Sequence, residues 1–354
     1  IMGLVAGVGS VISHTNEEKG RRAVKALVIE APRRAVVREV PDPEPGPGEV
    51  VIRVKNVGIC GTDFHIFEGE YISPYPIIPG HEFSGVVHRL GEGVTGFSVG
   101  DRVAADPTLL CGKCEFCLTN RSNHCLNWGA LGNTVDGSMA EFVKVPAENV
   151  VKLPDSMSFE EGAFIEPLAC VVHAMNRLNL RTGDRVILFG SGAMGQQLIQ
   201  ALVKAGASEL VAVDVSAEKL RMALRFGATR AVLSDELRAE EYPHGFDAVV
   251  DATGHPAVIE RALDFLGPTG KFLQFGVAPE NARITISPFK LYKKDWTLIG
   301  SMAINRTFLP AFHWLKEGRI EVKPLVSRIL TLEEAARFLA EPKDPSLLKV
   351  QIRI

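Results

Sequence analysis

The stretch Arg185-Val-Ile-Leu-Phe-Gly-Ser-Gly-Ala-Met-Gly195 decides how the second half of this chain folds. Its first part, Val186 to Phe189, is an apolar candidate strand, and a candidate helix from Met194 to Ala205 follows. Between them lies Gly-x-Gly-x-x-Gly, whose bare backbone can approach a pyrophosphate at the helix N-terminus. A glycine turn can also exist without a ligand, but the flanking strand and helix favour a dinucleotide site. The candidate contacts are Gly190, Gly192, Ala193, Met194 and Gly195.

The next candidate strand, Leu210 to Asp214, ends in a carboxylate 19 residues after Gly195. A carboxylate at this place can bind both ribose hydroxyls of adenosine, and it repels a 2′-phosphate. We therefore expect NAD rather than NADP as the cofactor. Lys219, in the following candidate helix, is a further candidate contact to the same ribose.

Helix and strand patterns alternate from about residue 160 onwards, which predicts an α/β fold with a doubly wound parallel sheet. The predicted strands of that sheet are Arg185–Phe189, Leu210–Asp214, Asp247–Asp251, Lys271–Phe275 and Trp296–Ile299, and the predicted helices include Val171–Leu178 and Ala217–Phe226. The first 150 residues contain short candidate strands separated by glycine and proline turns. We expect that half of the chain to be β-rich.

A second chemical signal lies between Cys60 and Glu82, where Cys-Gly-Thr-Asp-Phe-His is followed by Pro-Gly-His-Glu. A catalytic Zn²⁺ takes three protein ligands of N, S or O type and keeps one position open. Cys60 and His81 offer two of these ligands, and Glu82 or a later carboxylate offers the third. The competing interpretation is a buried cysteine and a surface histidine that never meet, since free cysteine is often a small core residue.

Four further cysteines lie within fifteen residues. They are Cys111, Cys114, Cys117 and Cys125. Thiolates crowded this closely repel one another unless a cation joins them, and a Cys₄ tetrahedron is the closed form of structural zinc site that folds a lobe. Disulfides, which this spacing makes awkward, and an iron–sulfur cluster are the alternatives.

The bulk properties exclude several classes of protein. A chain of 354 residues with 46% apolar and 23% charged residues predicts a soluble protein of two domains. Its net charge of −3 argues against nucleic acid or an anionic membrane as partner, and no apolar run is long enough to cross a bilayer. Clustered cysteines without signs of secretion indicate a reducing compartment, which we take to be the cytoplasm. Residues 1–24 are interpreted as a disordered extension or a start-site artefact, because charge follows their apolar stretch instead of preceding it.

Taken together, these stretches resemble the zinc-dependent medium-chain dehydrogenases, the family of the alcohol, sorbitol and threonine dehydrogenases. Gly58-Ile-Cys-Gly-Thr-Asp63, Gly80-His-Glu82, the cysteine lobe and the glycine loop follow one another in the family's order. The resemblance implies a GroES-like catalytic domain over residues 25–167 and a Rossmann coenzyme domain over 168–303. Residues 304–354 are then expected to return to the catalytic domain.

The resemblance also implies roles for individual residues. Cys60 and His81 would bind a catalytic zinc, with Asp63 orienting His81. Thr62 would accept the hydrogen bond of the substrate hydroxyl and pass the proton, through the nicotinamide ribose, to His65 near solvent. Backbone contacts from loops after later strands would line the nicotinamide pocket, although these could equally be plain loop residues. They are Gly254, Gly276 and Val277.

The third zinc ligand is where subfamilies differ. Simple alcohol dehydrogenases carry a cysteine in the segment that reads here Ile165-Glu-Pro-Leu-Ala-Cys170, whereas sorbitol-type and threonine dehydrogenases carry a glutamate, as Glu166 here. Either Glu82 or Glu166 is expected to complete the shell, directly or through water, with Glu82 as a charge behind the metal as the alternative. Cys170 is interpreted as a packed core thiol, with a ligand role as the alternative. Lys349 is expected to be solvated, with a pyrophosphate contact as the alternative.

The expected reaction is hydride transfer from a secondary alcohol, in a sugar alcohol or diol, to NAD, giving the ketone. Glu166 and Val322-Lys-Pro-Leu-Val326 resemble the sorbitol-type enzymes most. One departure stands against this: sorbitol dehydrogenases carry an Arg-Tyr pair after the position of Gly300, and this chain reads Ser301-Met-Ala-Ile-Asn-Arg306. Either Arg306 takes over the polyol contact or the substrate differs. Threonine, a simple alcohol and a catalytically silent zinc- and NAD-binding module are the alternatives, and a homodimer or homotetramer is expected by resemblance.

Overall fold

The computed structural model describes residues 23–71, 73–342 and 344–354. The extension expected over residues 1–24 therefore lies outside the described residues, apart from Ala23 and Val24, which begin the first strand. The strands are β1 Ala23–Ala31, β2 Arg34–Pro41, β3 Glu49–Gly58, β4 Glu82–Leu90, β5 Arg102–Ala105, β6 Thr108–Leu109, β7 Gly129–Ala130, β8 Phe142–Pro146, β9 Val150–Lys152, β10 Arg185–Phe189, β11 Glu209–Asp214, β12 Arg230–Leu233, β13 Phe246–Asp251, β14 Leu266–Gln274, β15 Thr297–Gly300, β16 Val326–Leu330 and β17 Lys349–Arg353. The α-helices are α1 Gly61–Glu68, α2 Glu115–Leu118, α3 Phe159–Gly162, α4 Ile165–Leu178, α5 Ala193–Lys204, α6 Ala217–Arg225, α7 Pro256–Ala262, α8 Pro288–Lys293, α9 Phe308–Lys316 and α10 Leu332–Phe338.

The expected parallel sheet is confirmed. Its six strands have the order β12-β11-β10-β13-β14-β15, and every neighbouring pair is parallel. Successive side chains of a strand point to opposite faces, so Val186 and Leu188 enter one core with α4, α5 and α9, while Ile187 and Phe189 enter another core that includes α7. Burial on both faces explains why β10 is continuously apolar from Val186 to Phe189.

Seven further strands build a second, mostly antiparallel sheet with the order β16-β17-β3-β4-β5-β9, in which β8 also pairs with β3. Strands β1 and β2 pair with each other, as do β6 and β7, outside this sheet. Strand β17, at the C-terminus, pairs with β3 near the N-terminus: Ile352 lies opposite Val57. The chain thus leaves this sheet, builds the parallel sheet and comes back. The expected architecture, a β-rich unit joined to a doubly wound parallel sheet, is confirmed.

Helix α4 begins at Ile165, six residues before the predicted start at Val171. The predicted start was wrong, because the helix includes Pro167 in its first turn. In the first turn of a helix no backbone hydrogen bond from that N–H is needed, so proline is tolerated there. The earlier start matters because it places Glu166 in the first turn, buried, where the helix dipole favours a negative charge.

Candidate active site

Asp63 joins the two segments that carry the sequence-predicted zinc donors. It lies in the first turn of α1, whose N-cap is Cys60. One carboxylate oxygen accepts the backbone N–H of Cys60 at 2.8 Å, and the other accepts that of Gly80 at 3.1 Å. Burial raises the pKa of the Asp63 carboxyl, and His81 and these two N–H groups oppose that shift. The Asp63 side chain therefore links the backbone at Cys60 to the backbone at Gly80, the residue before His81.

Cys60, His81 and Glu82 come together in the fold. One donor atom from each lies within 4.8 Å of the other two. Nδ1 of His81 is buried and has no hydrogen-bond partner among the described residues, and it lies 3.9 Å from Oδ1 of Asp63, which is longer than a hydrogen bond. Burial by itself would lower the pKa of His81, but Cys60 and Asp63 raise it well above its usual value. A thiol, an imidazole and a carboxylate this close form a donor set that fits Zn²⁺.

Glu82 is held by a buried lysine from the other end of the chain. Lys349 donates from Nζ to both carboxylate oxygens of Glu82, at 2.8 and 2.7 Å, and both side chains are almost fully buried. The expectation of a solvated lysine, or of one on the pyrophosphate, was wrong. The pair needs room that only glycine leaves at position 58, because a Cβ there would lie 2.0 Å from the Glu82 carboxylate.

Glu166 is the second carboxylate near this cluster, and its environment differs. No ion pair to Glu166 is present in the part of the chain that the structure describes. Burial raises the pKa of its carboxyl to about 7, and the Cys170 thiol donates to its Oε1 at 3.8 Å. Burial also raises the pKa of Cys170 well above its usual value, so this thiol stays protonated.

The predicted proton path starts beside Cys60 and ends at the surface. Thr62 Oγ1 lies 3.7 Å from Sγ of Cys60. One turn further along α1, His65 is partly exposed, and its Nδ1 lies 2.8 Å from a carboxylate oxygen of Glu70. Helix α1 thus carries one hydroxyl at the cluster and one imidazole near solvent.

The four-cysteine lobe, residues 111–125, brings its sulfur atoms together. One donor atom from each of the four lies within 4.8 Å of the others. The Cys111–Cys125 and Cys114–Cys125 sulfur separations of 3.5 and 3.9 Å exceed a disulfide bond of about 2.05 Å, and all four thiols are free. Hydrogen bonds from the backbone N–H groups of Leu126 and Cys117 lower the pKa of Cys114 to about 6, whereas desolvation raises that of Cys117 to about 12. The disulfide alternative is excluded, and the sulfur cage fits a closed zinc site.

The three glycines of the dinucleotide loop serve different purposes. Gly190 has φ of 96°, and a Cβ there would meet Thr253 at 2.9 Å. A Cβ on Gly195 would lie 1.9 Å from the carbonyl oxygen of Gly190, so this glycine allows the helix to pack on the strand. A Cβ on Gly192, the N-cap of α5, would meet nothing within 4 Å. Open space at a helix N-terminus fits a pyrophosphate.

Asp214 ends β11, as predicted from the sequence, and lies beside this loop. Its Oδ2 accepts the N–H of Ser191 at 2.6 Å, and its Oδ1 accepts that of Ser216 at 2.9 Å. Lys219 follows in the first turn of α6, where its N–H bonds to the Ser216 hydroxyl. The carboxylate therefore fixes the loop as well as offering its remaining lone pairs to a ligand.

Asp251 is a residue of this edge that the sequence interpretation missed. It is fully buried at the end of β13, and its carboxylate accepts from Thr253, from the Gly254 N–H at 2.9 Å and from Gln274 at 2.7 Å. It thereby sets the close approach of Gly254 and Gly276, where a Cβ on Gly276 would lie 2.2 Å from the Gly254 nitrogen. Val277, which follows, is 81% exposed. The sequence signal that could have identified Asp251 is a carboxylate at the end of a buried apolar strand, which is also the position of Asp214.

Comparison with known proteins agrees with this geometry. Residues 46–155 match the family model of the alcohol dehydrogenase GroES-like domain, and residues 193–317 match that of the zinc-binding dehydrogenases. D-altritol 5-dehydrogenase of Agrobacterium fabrum is 34% identical over 324 residues, covering 90% of this chain and 96% of that protein. Sorbitol dehydrogenase of Halalkalibacterium halodurans is 33% identical over 324 residues, covering 89% and 94%.

A zinc-binding dehydrogenase of Sinorhizobium meliloti, crystallised with NADP, superimposes with a TM-score of 0.91 at 31% identity, covering 94% of this chain and all of that one. Across the described residues, no helix is long and apolar enough to cross a membrane. The chain therefore belongs to the zinc-dependent medium-chain dehydrogenases, a family of oxidoreductases that act on alcohols.

Proposed function

We propose that this chain oxidises a secondary alcohol of a sugar alcohol or related diol to the ketone, with NAD as hydride acceptor. The observation that carries the proposal is the close approach of Cys60, His81 and Glu82, in the same chain as a glycine loop open at a helix N-terminus. The names of the Agrobacterium and Halalkalibacterium relatives support a polyol as substrate.

We assign the catalytic zinc to Cys60, His81 and Glu166. Glu82 lies closer to the first two residues, but Lys349 occupies both of its oxygens. Glu166 has a buried carboxyl that feels the charges of His81 and Lys349 but forms no ion pair among the described residues, and a bound cation would compensate its burial. The structural zinc is assigned to Cys111, Cys114, Cys117 and Cys125.

When bound, zinc supplies a Lewis acid that lowers the pKa of an alcohol, and nicotinamide supplies the hydride acceptor. The residues of the chain orient the substrate and move its proton. Thr62, held beside Cys60 by the first turn of α1, accepts the hydrogen bond of the substrate hydroxyl. His65, next to Glu70 at the surface, exchanges that proton with solvent. Asp63 keeps Cys60 and His81 in register throughout, because it bonds both of their backbone segments.

The preference for NAD over NADP rests on Asp214, because a carboxylate at this strand end repels a 2′-phosphate. The Sinorhizobium relative was crystallised with NADP, so the two cofactors must be compared directly. Gly254, Gly276, Val277 and Lys219 are proposed as further cofactor contacts.

The family resemblance is the basis of two further proposals: a division of the chain into residues 25–167, 168–303 and 304–354, and assembly as a homodimer or homotetramer. A cytoplasmic location is proposed from the free thiols.

The test is reduction of NAD and of NADP by zinc-replete protein over a panel of sugar alcohols, vicinal diols, L-threonine and primary alcohols. We expect turnover with NAD and a polyol, and none with the Cys60→Ala variant. A preference for threonine or for a primary alcohol would show that this compound, and not a polyol, represents the substrate class. Absence of turnover with every alcohol would indicate a zinc- and NAD-binding module without catalysis.

A further inference from the structure

The four-cysteine lobe is hydrogen-bonded to the loop that leaves the last strand of the parallel sheet, residues 301–306. The central contact is Asn305. Its Oδ1 accepts both the N–H and the hydroxyl of Ser122, at 3.1 and 2.9 Å, and its Nδ2 donates to the carbonyl of Asn120 at 2.8 Å. Ser122 is fully buried, so its two bonds to Asn305 are partly shielded from water, whereas the bond from Asn305 to Asn120 is exposed.

Two further hydrogen bonds flank this contact. The amide of Asn123 donates to the carbonyl of Met302 at 3.1 Å, and the guanidinium of Arg306 donates to the carbonyl of Cys117 at 3.3 Å. Arg306, the sequence-based candidate for a polyol contact, thus contacts the lobe. Just after the loop, the Thr307 hydroxyl donates to the carbonyl of Ala169, in the helix that carries Glu166.

The backbone of the loop indicates that its shape is imposed by its neighbours. Ala303 and Arg306 have φ of 46° and 56°, in the left-handed region. For residues other than glycine this conformation is strained, and it persists where surrounding contacts determine it. The bonds from the lobe are such contacts.

The loop also lies where a ligand is expected. It follows Gly300, at the carboxyl end of β15, and so starts at the same edge of the parallel sheet as the Gly190 loop and Asp214. Ligands of open parallel sheets bind outside this edge. A loop held at this edge by the lobe can therefore form a wall of the substrate and nicotinamide pocket.

We propose that Asn305 is a positioning residue through which the four-cysteine lobe sets the 301–306 loop, so that the integrity of the lobe controls how tightly alcohol and coenzyme are held. For the alcohol, this rests on the proposed function; for the coenzyme, it does not. The lobe then has a role in affinity besides its role in folding.

The test compares Asn305→Ala and Ser122→Ala with Thr119→Ala. The last variant removes two hydrogen bonds inside the lobe and none to the loop, since Thr119 bonds only to Glu115 and Arg121 among the hydrogen bonds found for the described residues. We expect Asn305→Ala to raise the KM for the best alcohol about fivefold or more while kcat changes little. Ser122→Ala should raise KM less, and the double variant should fall short of the product of the two effects, because both act on one contact. Thr119→Ala should keep the wild-type KM.

NADH affinity, measured by fluorescence titration, gives a readout that needs no turnover, and its Kd should rise in Asn305→Ala. If the wild-type protein turns over no alcohol, the proposed function fails and the NADH titration alone decides this inference. Folded Asn305→Ala with wild-type KM and NADH Kd but a lower Tm would overturn it, as would an equal rise of KM in Thr119→Ala.

Discussion

At the scale of single residues, the Glu82–Lys349 pair shows how long-range charge pairing shapes the site. The two residues are 267 positions apart, and both side chains are almost fully buried. Removing one partner from a buried pair leaves an uncompensated charge, which costs far more than losing an exposed pair.

We therefore expect Lys349→Met to lower the free energy of unfolding by about 3–5 kcal/mol, as measured by urea denaturation. Arg353→Met is the matched control, because Arg353 lies on the same strand and pairs with Glu160 at 2.9 Å with an exposed side chain; it should cost about 1 kcal/mol or less. Glu82→Gln combined with Lys349→Met should recover much of the loss. Equal losses of unfolding free energy in Lys349→Met and Arg353→Met would refute the claim that the buried pair contributes more to stability than the exposed one.

The two carboxylates near the cluster can be separated by metal content. Glu166→Gln removes the charge that we assign to the zinc, so the purified protein should hold about one zinc per chain instead of two. Glu82→Gln should retain both ions, although it leaves Lys349 unpaired. Inductively coupled plasma mass spectrometry gives the stoichiometry, with Glu160→Gln as a surface control. Full zinc content in Glu166→Gln, with loss in Glu82→Gln, would reverse the assignment.

Cofactor choice is also decided by one residue. Asp214→Gly together with Val215→Arg replaces a repelling carboxylate by a cation at an exposed position. The ratio of kcat/KM for NADP to that for NAD should rise on the order of tenfold or more, about 1.4 kcal/mol. Val215→Arg alone is the control, and should shift the ratio less. An unchanged ratio in the double variant would show that Asp214 does not select the cofactor.

At the scale of elements, the four-cysteine lobe brings four free thiols together and has few buried apolar residues of its own. Its spacing in the sequence predicted a metal cage, because four thiols so close in the chain have little other use. The spacing could not show that the lobe contacts the loop after β15, since the partners Ser122 and Asn305 are 183 residues apart.

Cys117→Ser should lower Tm by about 5 °C or more and remove one zinc per chain, because a structural metal site contributes folding free energy directly. Scanning calorimetry with zinc analysis measures both. Molecules that remain folded should keep their kcat and show a raised KM. Cys170→Ser is the control with an equal chemical change outside the lobe, and it should keep the structural zinc. An unchanged Tm in Cys117→Ser would exclude a structural zinc in the lobe.

The elements themselves were predictable to different degrees. Strands β10, β11 and β13 have apolar centres because they are buried on both faces, and these centres made the parallel sheet predictable from the sequence. The start of α4 could not be predicted, because a proline such as Pro167 indicates a helix boundary unless its place in the first turn is known. Asp251 was missed because its role depends on the contact between two turns, one at Gly254 and the other at Gly276, which the sequence does not show.

At the scale of the whole molecule, the chain passes from one sheet to another and returns. The return places β17 against β3, so that Lys349 reaches the carboxylate beside His81. Sequence order alone established that the three signals, the cluster, the lobe and the glycine loop, belong to one family. The pairing of the chain ends could not be derived from it, because a strand at the C-terminus has several edges on which to add.

The most direct test of the account is an anomalous difference map at the zinc absorption edge, from crystals grown with NADH. It should show two peaks per chain, one between Cys60, His81 and Glu166 facing the nicotinamide, and one inside the four-cysteine lobe. A map with no peak between Cys60 and His81, or with a nicotinamide directed away from them, would contradict the proposal that this cluster is a catalytic zinc site.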